Sequence, residues 1–282
     1  MSEPIIVVGV DGSPGADHAL AWAQAHAQAT GAAIRVVMTW DLPVSMATAP
    51  GVGVSPSTTL ERAAEAALGA VLDRAGDAGV TMTPVLRQGS PYHLLLAEAE
   101  QSDARLLVVG TRGLGPIRRV LLGSVSARIA RDATMPVAVV AAGAPLRTTG
   151  PVVVGVDGSA GSHAALRWAA EAPGGPVHAL HVVPPPIGPE YGLEGWLGGE
   201  QETYGRLVVG RAVEEALGAD ADVELDVRIG DARDVINEFA TTRRASLVVI
   251  GSRGGWGLGG LGSVTTSVAT HSDVTVVVVP PT

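Results

Sequence analysis

Four residues with the spacing of a phosphate-binding loop stand between an apolar run and a helix-forming segment. They are Gly110, Gly113, Gly123 and Ser124, arranged as Gly-x2-Gly-x9-Gly-Ser. Glycines let a backbone approach an anion closely and adopt positive φ. A helix that begins at Ser124 would direct its N–H groups and its partial positive charge toward that anion. The pattern predicts a phosphate site; the alternative is a glycine-rich connection in which Ser124 caps the helix.

Charged side chains stand at two places where they could serve such a ligand. Asp11 lies within Val-Asp-Gly-Ser after the first apolar run, and it could accept from ribose hydroxyls or help to hold a divalent cation. The alternative is a turn or capping aspartate, which the sequence Asp-Gly-Ser-Pro favours. Arg112, Arg118 and Arg119 lie in or beside the glycine loop. They either neutralise phosphate charge or are ordinary solvated surface residues.

The chain repeats itself at half its length. The six residues from Val8 to Ser13 recur letter for letter from Val154 to Ser159. Trp22 then corresponds to Trp168, and the glycine loop has a counterpart later in the chain. Because this period is far longer than that of solenoid repeats, we expect two tandem domains, residues 1–143 and 150–282.

The second copy of the glycine loop departs from the first. Gly251-x2-Gly254 is followed by seven residues, not nine, before Gly262-Ser263. No arginine follows Arg253 within this shortened loop. We therefore expect the second copy to bind less well, or with an altered phosphate geometry.

Strand and helix signals alternate along both copies, as in parallel sheets that helices cover on both faces. The first copy predicts strands near Ile5–Val10, Ile34–Trp40, Met82–Arg87, Leu106–Val109 and Val137–Ala141. The second predicts strands near Val152–Val156, Val177–Val183, Val223–Ile229, Leu247–Ile250 and Val274–Val279. The predicted fold is two tandem doubly wound α/β domains. Ligands of such sheets bind beyond the carboxyl ends of the strands where strand order reverses, between the first and fourth strands here.

Composition excludes several classes of function. There is no cysteine, so disulfides and thiolate metal sites are excluded. There is no lysine either, so any side-chain cation that faces phosphate must be arginine. A net charge of −9 argues against nucleic acid and anionic membranes as partners. Because neither a signal segment nor a long apolar run is visible, we expect a cytoplasmic protein.

Histidines offer no evident chemistry. His178 and His181 stand three residues apart in one predicted strand, so they point to opposite faces and cannot share a metal. No histidine belongs to a recognisable zinc or nucleophile motif. The sequence therefore assigns neither a metal ligand nor a catalytic residue.

With the repeat, the Val-Asp-Gly-Ser turn and the spaced glycine loop in hand, the chain resembles tandem-domain universal stress proteins of the ATP-binding branch. Each copy shows the resemblance, and together the two copies cover nearly the whole chain. The resemblance implies a five-stranded parallel sheet in each domain. It also implies ATP with Mg²⁺ as cofactors. The implied contacts in the first domain are Gly9 and Asp11 at ribose and phosphates, Thr39 at adenine, and Gly110, Gly113, Gly123, Ser124 and Val125 at the phosphates. Those in the second are Gly155, Asp157, Val182, Gly251, Gly254, Gly262, Ser263 and Val264.

The resemblance further implies that domains of this kind pair through the last strand. The two copies would then form an intrachain pseudo-dimer, and chains would pair into a homodimer. The function that it implies is an ATP-binding stress-response regulator, in which occupancy controls conformation or assembly and hydrolysis is slow at most. Two alternatives stay open: an ATPase or nucleotidyl transferase on the same scaffold, and an interaction module that no longer binds nucleotide.

Overall fold

The computed structural model describes residues 3–41, 56–111, 122–185, 199–253 and 260–281. The chain divides into two compact units, residues 1–129 with 137–146 and residues 130–136 with 147–282. Each unit carries one copy of the strand–helix alternation. In the part of the chain that is described, no helix combines the length and apolar character needed to cross a membrane.

The first unit alternates strands and helices from its first described element to its last. The elements are β1 (Ile5–Val10), α1 (Pro14–Thr30), β2 (Ala33–Trp40), α2 (Pro56–Ala75), β3 (Met82–Gln88), α3 (Pro91–Gln101), β4 (Leu106–Gly110), α4 (Ser124–Asp132) and β5 (Val137–Val140). The strands run parallel in the order β3-β2-β1-β4-β5. β4 and β5 are buried along their whole length, as expected of strands covered on both faces.

The second unit repeats this arrangement. Its elements are β6 (Val152–Gly155), α5 (Ala160–Glu171), β7 (Val177–Val183), α6 (Glu200–Leu217), β8 (Val223–Ile229), α7 (Ala232–Thr242), β9 (Leu247–Gly251), α8 (Ser263–His271) and β10 (Val276–Val279). The parallel order is β8-β7-β6-β9-β10. Helix α5 packs against α6, and α7 packs against α8. The predicted fold class, two tandem doubly wound α/β domains, is confirmed.

Local sequence explains how the chain leaves the first strand. Ser13 caps α1, and its Oγ accepts a hydrogen bond from the Ala16 N–H at 3.2 Å. Pro14 stands in the first helical turn, where its missing N–H costs nothing. The helix ends at Gly31, whose φ of 66° lies in the left-handed region that favours glycine.

Strand order reverses at β1 in the first unit and at β6 in the second. β1 pairs with β2 on one side and β4 on the other, and β6 pairs with β7 and β9 in the same way. The switch point predicted between the first and fourth strands therefore exists in both copies. Three predicted strands, Ile5–Val10, Val177–Val183 and Val223–Ile229, have the observed limits, and the others differ from them by one or two residues. The last strand, for example, begins at Val276, because the Val274 N–H turns back to donate to Ser272 Oγ at 3.1 Å.

A buried histidine in α1 links the stability of the first unit to pH. His26 is 7% exposed and stacks on Trp22 with ring centroids 5.0 Å apart. Burial lowers the pKa of His26 to about 4 from its ordinary value of 6.5. Between those values the unfolded chain binds a proton that the folded chain does not, so stability falls as the pH falls. From pH 7 to pH 5 we expect His26 to remove about 2 kcal/mol from the free energy of unfolding.

Denaturant unfolding of wild type and His26→Phe across this pH range measures the effect. Phenylalanine keeps an aromatic ring beside Trp22 but cannot titrate. In the variant, the free energy of unfolding should therefore lose most of its slope against pH. His93→Gln, at an exposed position in the same unit, is the matched control and should keep it. Equal slopes for wild type and His26→Phe would contradict the prediction.

Candidate functional site

A pocket opens at the carboxyl ends of β6, β7 and β9 in the second unit. Its volume is about 440 Å³, within the range of small-molecule sites. The starts of α7 and α8 complete its wall. Of the eight residues predicted for the second site, seven line it: Gly155, Asp157, Val182, Gly251, Gly262, Ser263 and Val264. The eighth, Gly254, lies outside the described residues.

The phosphate end of this pocket is the N-terminus of α8. Gly262 holds the cap position and Ser263 is the first helical residue, so this serine does not cap the helix. Ser263, Val264 and Thr265 all line the pocket. The N–H groups in a first helical turn have no partner within the helix, and they carry the positive end of its dipole. This end of the pocket is therefore suited to an anion.

Three hydrogen bonds fix both ends of the second glycine loop. The Ser252 N–H donates to Val279 O at 2.8 Å, and the Gly262 N–H donates to Ser252 O at 3.0 Å. The Thr265 hydroxyl donates to Gly251 O at 2.8 Å. The start of α8 is thus tied to the end of β9.

The first unit carries the same three bonds although its loop is two residues longer. The Thr111 N–H donates to Val140 O at 2.9 Å, the Gly123 N–H donates to Thr111 O at 2.8 Å, and the Ser126 hydroxyl donates to Gly110 O at 2.7 Å. The shorter second loop therefore leaves the hydrogen bonds at the start of α8 the same as those at the start of α4. If the second site binds a ligand more weakly, the cause would have to lie in the interior of the loop. Arg112, Gly113, Arg118 and Arg119 lie outside the described residues, as do positions 254–259.

The two aspartates of the repeated turn hold the start of the following helix. Asp157 Oδ1 accepts from the Ser159 N–H at 3.0 Å and from its hydroxyl at 2.5 Å, and Ser159 caps α5. Asp11 Oδ1 accepts from the Ser13 N–H at 3.0 Å. The turn interpretation is therefore correct for one oxygen of each carboxylate. Asp157 also lines the pocket, so the turn holds this carboxylate at the pocket wall.

The remaining predicted residues of the first unit occupy corresponding positions. Gly9 lies in β1 and Thr39 in β2, while Ser124 and Val125 open α4. Packing also favours glycine at position 9, because a Cβ on Gly9 would lie 2.8 Å from Leu95 Cδ1 in α3. These residues meet at the same end of the sheet as their counterparts in the second unit.

Two backbones touch beneath the second pocket, where α5 crosses the end of β9. A Cβ built on Gly251 would lie 2.7 Å from the carbonyl carbon of Gly161. A Cβ built on Gly161 would lie 2.5 Å from the Arg253 carbonyl oxygen. Sequence reasoning missed Gly161, although Gly15 stands at the same place in the first copy. It also missed Ser126 and Thr265, whose recurring hydroxyls were the available signal.

Charge and polarity in the pocket are sparse. Among the lining residues that are described, Arg253 is the one cation, Asp157 the one carboxylate and His181 the one histidine. His181 Nδ1 lies 2.7 Å from Val156 O. Sequence reasoning named His181 only to exclude a shared metal site with His178.

His178 lies on the other face, in a cluster with two carboxylates. Its Nδ1 is 2.9 Å from Asp226 Oδ2 and 3.4 Å from Glu224 Oε2. Arg228 and Arg243 approach Asp226 Oδ1 at 3.7 and 3.5 Å, so the aspartate charge is already balanced. These side chains form an ion network.

The first unit has an ion network at the same place. Val7 pairs with Arg35 and Val153 with His178, and the two valines are equivalent in the repeat. Arg35 Nε donates to the buried Glu98 at 2.7 Å, and Arg87 Nη2 lies 3.3 Å from that carboxylate. Both copies therefore have a charged network at this place, but different residues form it in each copy.

Each copy is thus a doubly wound α/β domain with a switch point between its first and fourth strands, and in the second copy a helix N-terminus bounds a pocket at that point. The family model described as the universal stress protein family matches residues 4–141 and 148–280. The chain belongs to the universal stress protein family.

Individual relatives match this chain over nearly its whole length. A universal stress protein of Mycolicibacterium smegmatis is 34% identical, with 98% of this chain and 97% of the relative covered. One from Mycobacterium tuberculosis is 31% identical, covering 97% and 96%. The crystal structure of a universal stress protein from Archaeoglobus fulgidus has a TM-score of 0.68 at 22% identity, covering 98% and 96%, and it supports the shared fold.

Proposed function

We propose that this universal stress protein is a regulator that binds ATP with Mg²⁺, and that nucleotide occupancy controls its conformation or assembly. The observation that carries the proposal is the second-domain pocket, which joins the ends of β6 and β9 to the N-terminus of α8. One wall is apolar, with Val182, Ile236 and Ile250, and it suits a base. The opposite end offers N–H groups and Arg253 to phosphates.

The donor set also fits Mg²⁺ bound to a nucleotide. Mg²⁺ in phosphate sites is commonly held by one or two carboxylates together with the phosphates and water. Asp157 supplies one carboxylate at the pocket, and Asp11 is its counterpart in the first domain. Mg²⁺ would lower the charge that ATP brings to a chain whose own net charge is −9.

A regulatory role is favoured over an efficient enzyme. Phosphoryl transfer needs a positioned base and several cationic clamps. The one carboxylate among the described lining residues already holds the Ser159 turn, and the one cation among them is Arg253. We therefore propose slow hydrolysis at most, and pairing of chains through the last strand stays a prediction.

Calorimetry with Mg–ATP tests the proposal directly. We expect saturable binding below about 1 mM, with turnover below about one per minute, well under typical enzyme rates. Light scattering on the same samples would report whether ATP changes the assembly. Absence of binding at about 1 mM would contradict the proposal. Faster turnover that disappears in Asp11→Asn or Asp157→Asn would establish the enzyme instead.

A further inference from the structure

The two copies differ at several positions of the pocket wall, and one of them exchanges a histidine for a methionine. Gly9 pairs with Val37 and Gly155 pairs with Leu180, and these glycines are equivalent in the repeat. The next residue along the second strand is Met38 in the first domain and His181 in the second. His181 lines the pocket, as do Val182 and Ile236.

Hydrogen bonding fixes the state of the His181 ring. Nδ1 lies 2.7 Å from the Val156 carbonyl oxygen, which can only accept. Nδ1 therefore carries the hydrogen, and in the neutral ring Nε2 is an acceptor. The Met38 side chain of the first domain has only a weakly accepting thioether in its place.

Helix α6 lies close to the face of the sheet that carries the ring. A Cβ built on Gly205 would lie 3.4 Å from His181 Cδ2 and 2.6 Å from Val227 Cγ1, so the helix packs closely over β7 and β8. A ring that is hydrogen-bonded to a backbone carbonyl and has a helix packed nearby loses little freedom on binding. Such a preorganised acceptor contributes more to selectivity than a mobile one.

We propose that His181 Nε2 accepts a hydrogen bond from a donor group of the bound nucleoside, and so makes the second domain more selective than the first. This inference rests on the proposed function and adds to it the kind of nucleoside group that the second site recognises. The donor is either the exocyclic amine of the base or a sugar hydroxyl. Sites that hydrogen-bond a ligand group reject analogues that lack it, because their own polar atom is then left unpaired.

The experiment measures dissociation constants for ATP, ITP and 2′-deoxy-ATP in a Gly123→Asp background, where the second domain reports alone. ITP lacks the amine and the deoxynucleotide lacks one hydroxyl, so the two arms distinguish the donors. We expect ATP to bind about tenfold more tightly than one of the two analogues. His181→Met, which installs the residue of the first domain, should reduce that ratio to within about twofold. His181→Gln, which retains an acceptor oxygen, should restore part of it.

Two results overturn the inference in different ways. If His181→Met binds ATP and keeps both ratios, His181 does not read the nucleoside, although the nucleotide site itself stands. If the unmodified second domain binds none of the three nucleotides, the proposed function fails in that domain and the inference fails with it. Circular dichroism of each variant confirms that the comparison is between folded proteins.

Discussion

Replacing Gly262 with aspartate is expected to abolish nucleotide binding by the second domain, with a dissociation constant raised at least about 100-fold, or about 3 kcal/mol. Gly262 is the cap residue of α8 and lines the pocket directly before Ser263. An aspartate there would set a negative charge where the phosphates should lie. Like charges brought together in a partly desolvated site are strongly unfavourable.

The same substitution should leave the domain folded. Gly262 has φ −58° and ψ 149°, an extended conformation that any residue adopts and that cap residues prefer. Aspartate is among the best N-cap residues and glycine is only slightly worse, so α8 should be stabilised by about 0.3 kcal/mol. Loss of binding together with unchanged or raised stability would be the signature of charge repulsion and not of unfolding.

Gly262→Asn is the matched control, because asparagine has the same size and also caps helices but carries no charge. It should retain most of the binding, measured by calorimetry beside the aspartate variant. If asparagine and aspartate weaken binding equally, bulk and not charge is responsible. If neither weakens it, the phosphates do not lie at this helix start.

Gly161→Ala is expected to destabilise the second domain by roughly 3 kcal/mol, at the upper end of overpacking costs. A Cβ there would lie 2.5 Å from the Arg253 carbonyl oxygen. Because the obstacle is backbone and not a flexible side chain, α5 must move away from the end of β9. That movement would also displace the Asp157 turn and the start of the glycine loop, so nucleotide binding should weaken with stability.

Gly210→Ala provides the comparison for this prediction. Gly210 lies inside α6, where a Cβ would meet only Leu225 Cδ1 at 3.8 Å. Alanine should therefore be neutral or stabilise the helix by up to about 1 kcal/mol. Denaturant unfolding of the two variants measures the difference. Equal stabilities for Gly161→Ala and wild type would show that the backbone contact is not needed.

Sequence patterns were sufficient for the fold because they are local. Continuous apolar runs, the Ser13 cap and the Gly31 stop each act within a few residues of chain, and the repeat supplied the serine cap a second time at Ser159. The predicted crevice followed from strand order, which the parallel α/β rules restrict strongly. Seven predicted residues of the second site accordingly line one pocket.

What the sequence did not yield depends on contacts between distant segments. Gly161 matters only because the end of β9 lies so near that a Cβ built on Gly251 would be 2.7 Å from the Gly161 carbonyl carbon, and that approach is set by the packing of α5 on the sheet. His181 is oriented by a carbonyl 25 positions earlier, which strand pairing brings beside it. The ion networks at Glu98 and Asp226 exchange their partners between the copies, so the repeat itself hides them.

If the glycine loops hold an adenine nucleotide, protein purified under native conditions should carry it. A mass-spectrometric inventory of the nucleotide released from purified protein tests this, with wild type beside the double variant Gly123→Asp, Gly262→Asp. We expect wild type to release adenine nucleotide, chiefly ATP, and the folded double variant to release almost none. Equal release from both proteins, or none from wild type even after incubation with Mg–ATP, would show that the glycine loops do not hold this nucleotide.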